Sequence, residues 1–277
     1  MKQTLIFAFR LATSYGSLAA GVVLWTVLLS HLHSPDRPVA DWTAPDGAVD
    51  RPLVVVDAGH GGHDRGAAAN RLIEKEATLD IARRLQRQLE SRGVSVRMTR
   101  AEDKFVSLDG RAEIANDSRA VAFISVHLNI ASEGPADAHG IETYFCGSKS
   151  LSAVRLIRTS LDIKGSGGLS DLRGQKLAEV IQRIASARTQ AADRGVKERK
   201  YTVIHATACP AVLVECGFMT HAAEAAKLRR EEYRDKLVDG LAEGVCAFLQ
   251  AQTLKPRRGV LLEAPKSVPA NGLAASD

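Results

Sequence analysis

The sequence predicts an α/β fold, a sheet sandwiched between helices, and three observations predict it. Strand-length apolar runs alternate with helix-length amphipathic stretches between residues 53 and 250. Three of the runs are almost continuously apolar, the pattern of strands covered on both faces. Each of the three also delivers a polar side chain at its end. VVVDAGH delivers His60, VAFISVHLN delivers His127 and AVLVECGF delivers Glu215. Polar residues at the mouths of buried strands are how an open α/β sheet builds a site.

Taken in order, residues 53–58 read as a strand, followed by a helix over 76–91 with Leu79, Ala82, Leu85 and Leu89 at helical spacing and Gly93 as its stop. Val94, Val96 and Met98 alternate as a strand, 108–116 is a short helix, and 121–126 and 140–145 are strands. A helix is expected over 174–192, extended chain at 201–205 and 211–215, and a long amphipathic helix over 231–250. The pattern does not give the strand order, and there is no internal repeat.

The ends differ from this body. Residues 11–32 are apolar or small and uncharged, with Lys2 and Arg10 ahead of them. That is about the 20 residues needed to span a bilayer as a helix, and the leading positive charge keeps that side cytoplasmic. An uncleaved anchor is the preferred reading. A cleaved signal peptide is the alternative, although Leu32-His33-Ser34 makes a poor cleavage site. Either way the bulk of the chain lies across the membrane. Pro35, Pro38 and Pro45 mark 33–51 as a linker, and Pro256, Pro265 and Pro269 mark the tail as disordered. The expected division is 1–32 membrane segment, 33–51 linker, 52–252 catalytic domain and 253–277 tail.

A net charge of +5 is mild, and aromatic residues make up only 5% of the chain without interleaving a basic run, which argues against a nucleic-acid partner. Cys146, Cys209, Cys216 and Cys246 match no zinc ribbon or redox pair. They are expected as buried thiols, with one disulfide open.

The chemistry lies at the strand ends. His60 stands between Gly59 and the pair Gly61-Gly62, which allow a tight turn and leave the imidazole uncovered. Two histidines and a carboxylate, with a fourth position open to water, form a catalytic zinc set. His60, His127 and Glu74 supply those residue types. Spacing alone leaves open that the histidines are structural and that Glu74 only complements a helix dipole. Glu215, at the end of a buried strand, must find a partner or shift its pKa upward. Beside a metal-activated water it can carry the proton; a structural ion pair with an arginine is the alternative. His63 reads as a bystander, His139 as solvent-exposed, and His205 and His221 have no assigned role. Asn129 either touches substrate or water, or caps a turn.

These residues fall in an order that resembles the zinc-dependent N-acetylmuramoyl-L-alanine amidases of the amidase-3 type, over about residues 53–249. VVVDAGHGGHDRGA is similar to the first motif of that family, with Ala58 where proline is common. Glu74-Lys75, Met98-Thr99-Arg100, Asp103, Ser107-Leu108, Arg111, Ala115-Asn116, Ser125-Val126-His127-Leu128-Asn129, Arg194-Gly195-Val196-Lys197 and PAVLVECGF follow in sequence. Cys216 replaces a residue that is often threonine. The resemblance implies a single α/β domain with a mostly parallel, mixed six-stranded sheet flanked by helices on both faces. It further implies Zn²⁺ on His60, Glu74 and His127, with Glu215 as acid/base. The implied reaction is hydrolysis of the amide between N-acetylmuramic acid and L-alanine of peptidoglycan, outside the cytoplasm. Arg194 would meet a stem-peptide carboxylate or Glu215. Residues 147–173 match least; some relatives carry there a helix that covers the site until an activator protein binds, and a surface helix with a loop is the plainer reading. A wall-binding module without catalysis and a zinc peptidase cutting peptide crosslinks are the competing functions.

Overall fold

The structure, a computed structural model, describes residues 51–131, 137–150, 153 and 172–253. The expected membrane segment, most of the linker, nearly all of the 147–173 segment past Ser150 and the tail lie outside the described residues. Among the described residues no helix is long and apolar enough to cross a membrane.

Among the described residues strands and helices alternate broadly as expected: β1 (Leu53–Ala58), β2 (Ala68–Ala69), β3 (Leu72–Ile73), α1 (Glu74–Ser91), β4 (Ser95–Met98), α2 (Leu108–Asp117), β5 (Ala122–Asn129), β6 (Ile141–Phe145), α3 (Leu172–Thr189), β7 (Asp193–Glu198), α4 (Thr202–His205), β8 (Ala211–Phe218), α5 (Ala222–Leu228) and α6 (Glu231–Thr253). Six strands form one sheet in the order β4-β1-β5-β8-β6-β7. The β1–β4, β1–β5 and β5–β8 ladders are parallel. β6 runs antiparallel to β8, and β7 parallel to β6. The sheet is therefore mixed and mostly parallel.

Strand alternation sorts the core into two layers. Val54, Val56, Ala58, Ile124, Val126, Val212 and Val214 face the layer holding Ile81 and Leu85 of α1, Leu177 and Ile181 of α3, and Leu237 and Leu241 of α6. Val55, Phe123 and Leu213 face Ala115 of α2 and Val203 and Ile204 of α4. Helices thus cover both faces, and this is why β1, β5 and β8 read as unbroken apolar runs. Val54, Val55 and Val56 are fully buried, each worth about 1.5–3 kcal/mol of burial.

The structure corrects several local expectations. Residues 201–205 are not extended: His205 N–H donates to the Tyr201 carbonyl at 2.9 Å and closes the short helix α4. The helix expected over 174–192 starts at Leu172 and stops at Thr189, where Gln190 takes a left-handed φ of 55°. The helix expected from residue 76 begins at Glu74, placing that carboxylate in its first turn. Strand β7, the β2–β3 hairpin and α5 were not expected. No disulfide joins the four cysteines; Cys146, Cys216 and Cys246 are buried and Cys209 is half-buried. Burial pushes the Cys216 thiol up.

One polar cluster ties the layers below the site. Asp57, fully buried on β1, accepts hydrogen bonds from Thr99 Oγ1 (2.6 Å), Ser125 Oγ (2.6 Å) and Arg111 Nη1 (2.7 Å). Replacing Asp57 with alanine leaves the 3%-exposed Arg111 without its counter-ion. We expect Asp57→Ala to lower unfolding free energy by about 3–5 kcal/mol, read as a shifted urea midpoint at unchanged m-value.

Candidate metal centre and acid/base

The turn after β1 is built to present His60. His60 itself has φ 61°, and Gly61 and Gly62 follow at 126° and 61°. A non-glycine residue in the left-handed region is strained and persists only where its surroundings hold it. Here two guanidiniums do so. Arg100 donates to the carbonyls of Ala58 (2.9 Å) and Gly59 (2.8 Å). Arg111 donates to the carbonyls of Ala58 (2.6 Å) and His60 (2.7 Å). Lys75 Nζ reaches the Gly62 carbonyl and Asp103, whose other oxygen accepts Gly62 N–H at 2.8 Å. Gly59 must lack a side chain, because a Cβ there would stand 2.4 Å from His127 Cε1.

Glu74 is the meeting point. It is 5% exposed, and its Oε1 lies 3.0 Å from His60 Nε2 and 3.1 Å from His127 Nδ1. The backbone holds it: Ala67 N–H donates to Oε2 at 2.9 Å and Leu128 N–H to Oε1 at 3.2 Å. Burial alone would raise the Glu74 pKa, but hydrogen bonds from His127 and His60 and their charges outweigh it and hold the carboxyl well below the usual range. The two rings meet edge to face with centroids 5.0 Å apart. One ligand atom from each of His60, Glu74 and His127 lies within 4.8 Å of the others. Two imidazole nitrogens and a carboxylate oxygen converging in this way fit a zinc-type donor set. Asp64 Oδ2 sits 2.9 Å from His60 Nδ1, the outer carboxylate that orients a ligating histidine and strengthens its basicity. The sequence alone did not single out Asp64 for this role. His63 instead stacks on Phe105 at 4.2 Å, outside the donor set.

Glu215 arrives on the neighbouring strand. The parallel β5–β8 ladder pairs His127 with Glu215. Its Oε2 is shielded from solvent and has no hydrogen-bond partner. Among the described residues no arginine pairs with Glu215, the alternative considered from sequence. Burial, together with the negative charges of Glu74 and Glu142 and against the opposing pull of His127 and His60, pushes Glu215 up to about 7. A carboxyl with a pKa near working pH can both take and return a proton.

The two residues expected at the substrate both bond Glu142. Asn129 Nδ2 donates to Glu142 at 2.8 Å, while its Oδ1 accepts Ile130 N–H at 2.7 Å and caps its own turn. Arg194 Nε donates to Glu142 Oε2 at 2.7 Å, and its guanidinium lies 4.7 Å over the Phe218 ring. Sequence reasoning missed Glu142 altogether. It is 2% exposed and also takes hydrogen bonds from Tyr144 Oη and Lys197 Nζ. A charged residue amid the apolar β6 run was the available sign. His139 is exposed as expected and stacks on His221, which caps α5. His205 Nδ1 contacts the Ser148 carbonyl.

Comparison with known proteins agrees with this geometry. A family model described as N-acetylmuramoyl-L-alanine amidase (amidase-3) matches residues 54–247. The N-acetylmuramoyl-L-alanine amidase LytC of Bacillus subtilis is 33% identical over 195 residues, 70% of this chain but only 35% of LytC, so the chain spans about a third of that relative. The crystal structure of an N-acetylmuramoyl-L-alanine amidase from Clostridium difficile 630 superposes with a TM-score of 0.62 at 31% identity, covering 73% of this chain and 98% of that one. The CwlD amidase of Clostridioides difficile, solved in complex with the GerS lipoprotein, superposes with a TM-score of 0.60 at 25% identity, covering 73% of this chain and 100% of that one.

Two outcomes are expected from the site. Asp64→Ala lowers zinc affinity by about 10–100-fold, measured by chelator competition on the purified protein. In metal-free protein the raised Glu215 pKa means the folded state holds more protons than the unfolded state between the ordinary glutamate pKa and about 7. Stability therefore falls as pH rises through that window, and Glu215→Gln flattens the fall, measured as urea midpoints across the range.

Proposed function

The chain belongs to the amidase-3 family of N-acetylmuramoyl-L-alanine amidases, and from that premise we propose that it hydrolyses the muramoyl–L-alanine amide of peptidoglycan with a zinc ion on His60, Glu74 and His127 and with Glu215 as acid/base. The observation that carries the reading is the orphaned Glu215 oxygen on the strand next to a converging His–Glu–His set.

When bound, zinc supplies Lewis-acid polarisation of the scissile carbonyl and acidifies a water toward a pKa of about 7. The chain's own groups do the rest. Glu74 holds both imidazoles at the centre, and Asp64 fixes the tautomer and direction of His60. Glu215 accepts the proton of the attacking water and delivers it to the departing L-alanine amine. Its unpaired oxygen is free to exchange that proton without first breaking a hydrogen bond.

The domain over 52–252 would act outside the cytoplasm, tethered by 33–51 to a membrane segment over 11–32. CwlD, solved in complex with the GerS lipoprotein, is the basis for proposing a protein partner that acts on this chain. A binding module without catalysis is disfavoured because an unpartnered acid beside three donor groups serves no adhesive purpose.

Digestion of purified peptidoglycan tests the proposal. We expect release of peptides with a new L-alanine amino terminus from intact glycan, abolished by chelation, restored by zinc, and reduced at least about 10²-fold by Glu215→Gln. New ends inside the stem would identify a peptidase instead, and chelator-insensitive release would remove the metal.

A further inference from the structure

Glu142 is the most heavily contacted carboxylate in the sheet, and no step of the proposed chemistry uses it. It sits directly opposite Glu215 on the antiparallel β6–β8 ladder. Directly opposed residues point to the same face, with Cβ atoms about 4.5–5.5 Å apart. His127, Glu215 and Glu142 therefore form one row across three adjacent strands. Within that row the two carboxylates have opposite fates. Glu142 collects both nearby cations, Arg194 and Lys197, along with Tyr144 Oη and Asn129 Nδ2. Glu215 keeps an oxygen with no partner at all.

The cations sit on the strand that flanks β6, one strand beyond the Glu142–Glu215 pair. Arg194 lies over the ring of Phe218, three residues after Glu215 on the same strand. Lys197 and Arg194 converge on the same oxygen, Glu142 Oε2. Neither is locked in place by burial, since their side chains are 37% and 32% exposed against 3% for Glu142. Two positive charges on one carboxylate leave one charge over. Without Glu142 both would lose their buried counter-ion directly across the ladder from Glu215, and a charge-assisted pair with Glu215 would be stronger than an ordinary hydrogen bond.

We propose that Glu142 is a positioning residue that sequesters Arg194 and Lys197, and so keeps Glu215 out of an ion pair and free to carry a proton. The inference rests on the reading of Glu215 as acid/base. It also accounts for Arg194 and Asn129, which hold Glu142 in place rather than reaching substrate directly. Glu142 touches no reacting atom in this account. It acts by removing competitors.

The test is a rescue. Glu142→Gln keeps the shape but releases the cations, and should lower kcat on peptidoglycan fragments by about 10²-fold with little change in KM. Adding Arg194→Gln and Lys197→Gln removes the released cations and should bring kcat back to within about tenfold of the parent. Zinc content and circular dichroism confirm that each protein is folded and loaded. Parental kcat in Glu142→Gln, or a folded triple variant as inactive as the single one, overturns the proposal. Should the single variant not fold, the triple variant decides alone: a kcat within about tenfold of the parent supports sequestration, and an inactive folded protein refutes it. Glu215→Gln is the separating control. If it retains activity the acid/base reading fails; if it is inactive while the Glu142 series shows no loss and rescue, only the sequestration idea fails.

Discussion

The site depends on one strained turn being held closed from below. Arg100 and Arg111 gather the carbonyls of Ala58, Gly59 and His60, and Arg111 is itself anchored on buried Asp57. Helix α2 and the loop after β4 are thereby stitched to the end of β1. Without that clamp His60 would relax out of its left-handed conformation and its ring would leave the carboxylate. The buried charges do not make the fold more stable than an apolar core would. What they provide is an address for one imidazole.

The other residues of the site are fixed by different means. His127 and Glu215 come from neighbouring central strands and are set by a single ladder. Glu74 is set by the start of α1, with the β2–β3 hairpin leading the chain into it. Four distant segments thus contribute to one point through three local devices: a clamped turn, a strand register and a helix terminus. The spread in sequence is what makes the donor set a product of folding.

Much of this was legible from the chain because it rests on period and on residue type. The apolar runs of β1, β5 and β8 named the central strands, and the polar residues closing them named His60, His127 and Glu215. Glu74 was readable as a candidate but not as a buried one, since its burial comes from a hairpin of two-residue strands too short to carry a pattern. β7 escaped because its sequence, DRGVKE, has the charge of a loop, and its strand character comes only from pairing with β6. The segment 201–205 has β-branched residues and looked extended, but tertiary packing of Val203 and Ile204 against Phe123 and Leu213 overrode that preference. The partners of Glu142 and Asp57 escaped for a common reason: most of them come from distant segments, up to 68 residues away in sequence, so a charge within an apolar strand was the sole local sign of either.

Strand β7 ends the sheet, and an outermost strand offers unpaired backbone groups to any other extended chain. Here that border is lined with Asp193, Arg194, Lys197 and Glu198, and it is irregular, with Gly195 at φ 79° and a register shift against β6. Charge and irregularity of this kind discourage a second molecule from adding a strand. The cations that bind Glu142 therefore also discourage edge-to-edge association, and an apolar replacement at Arg194 or Lys197 would expose a sticky margin as well as unbalancing the charge on Glu142.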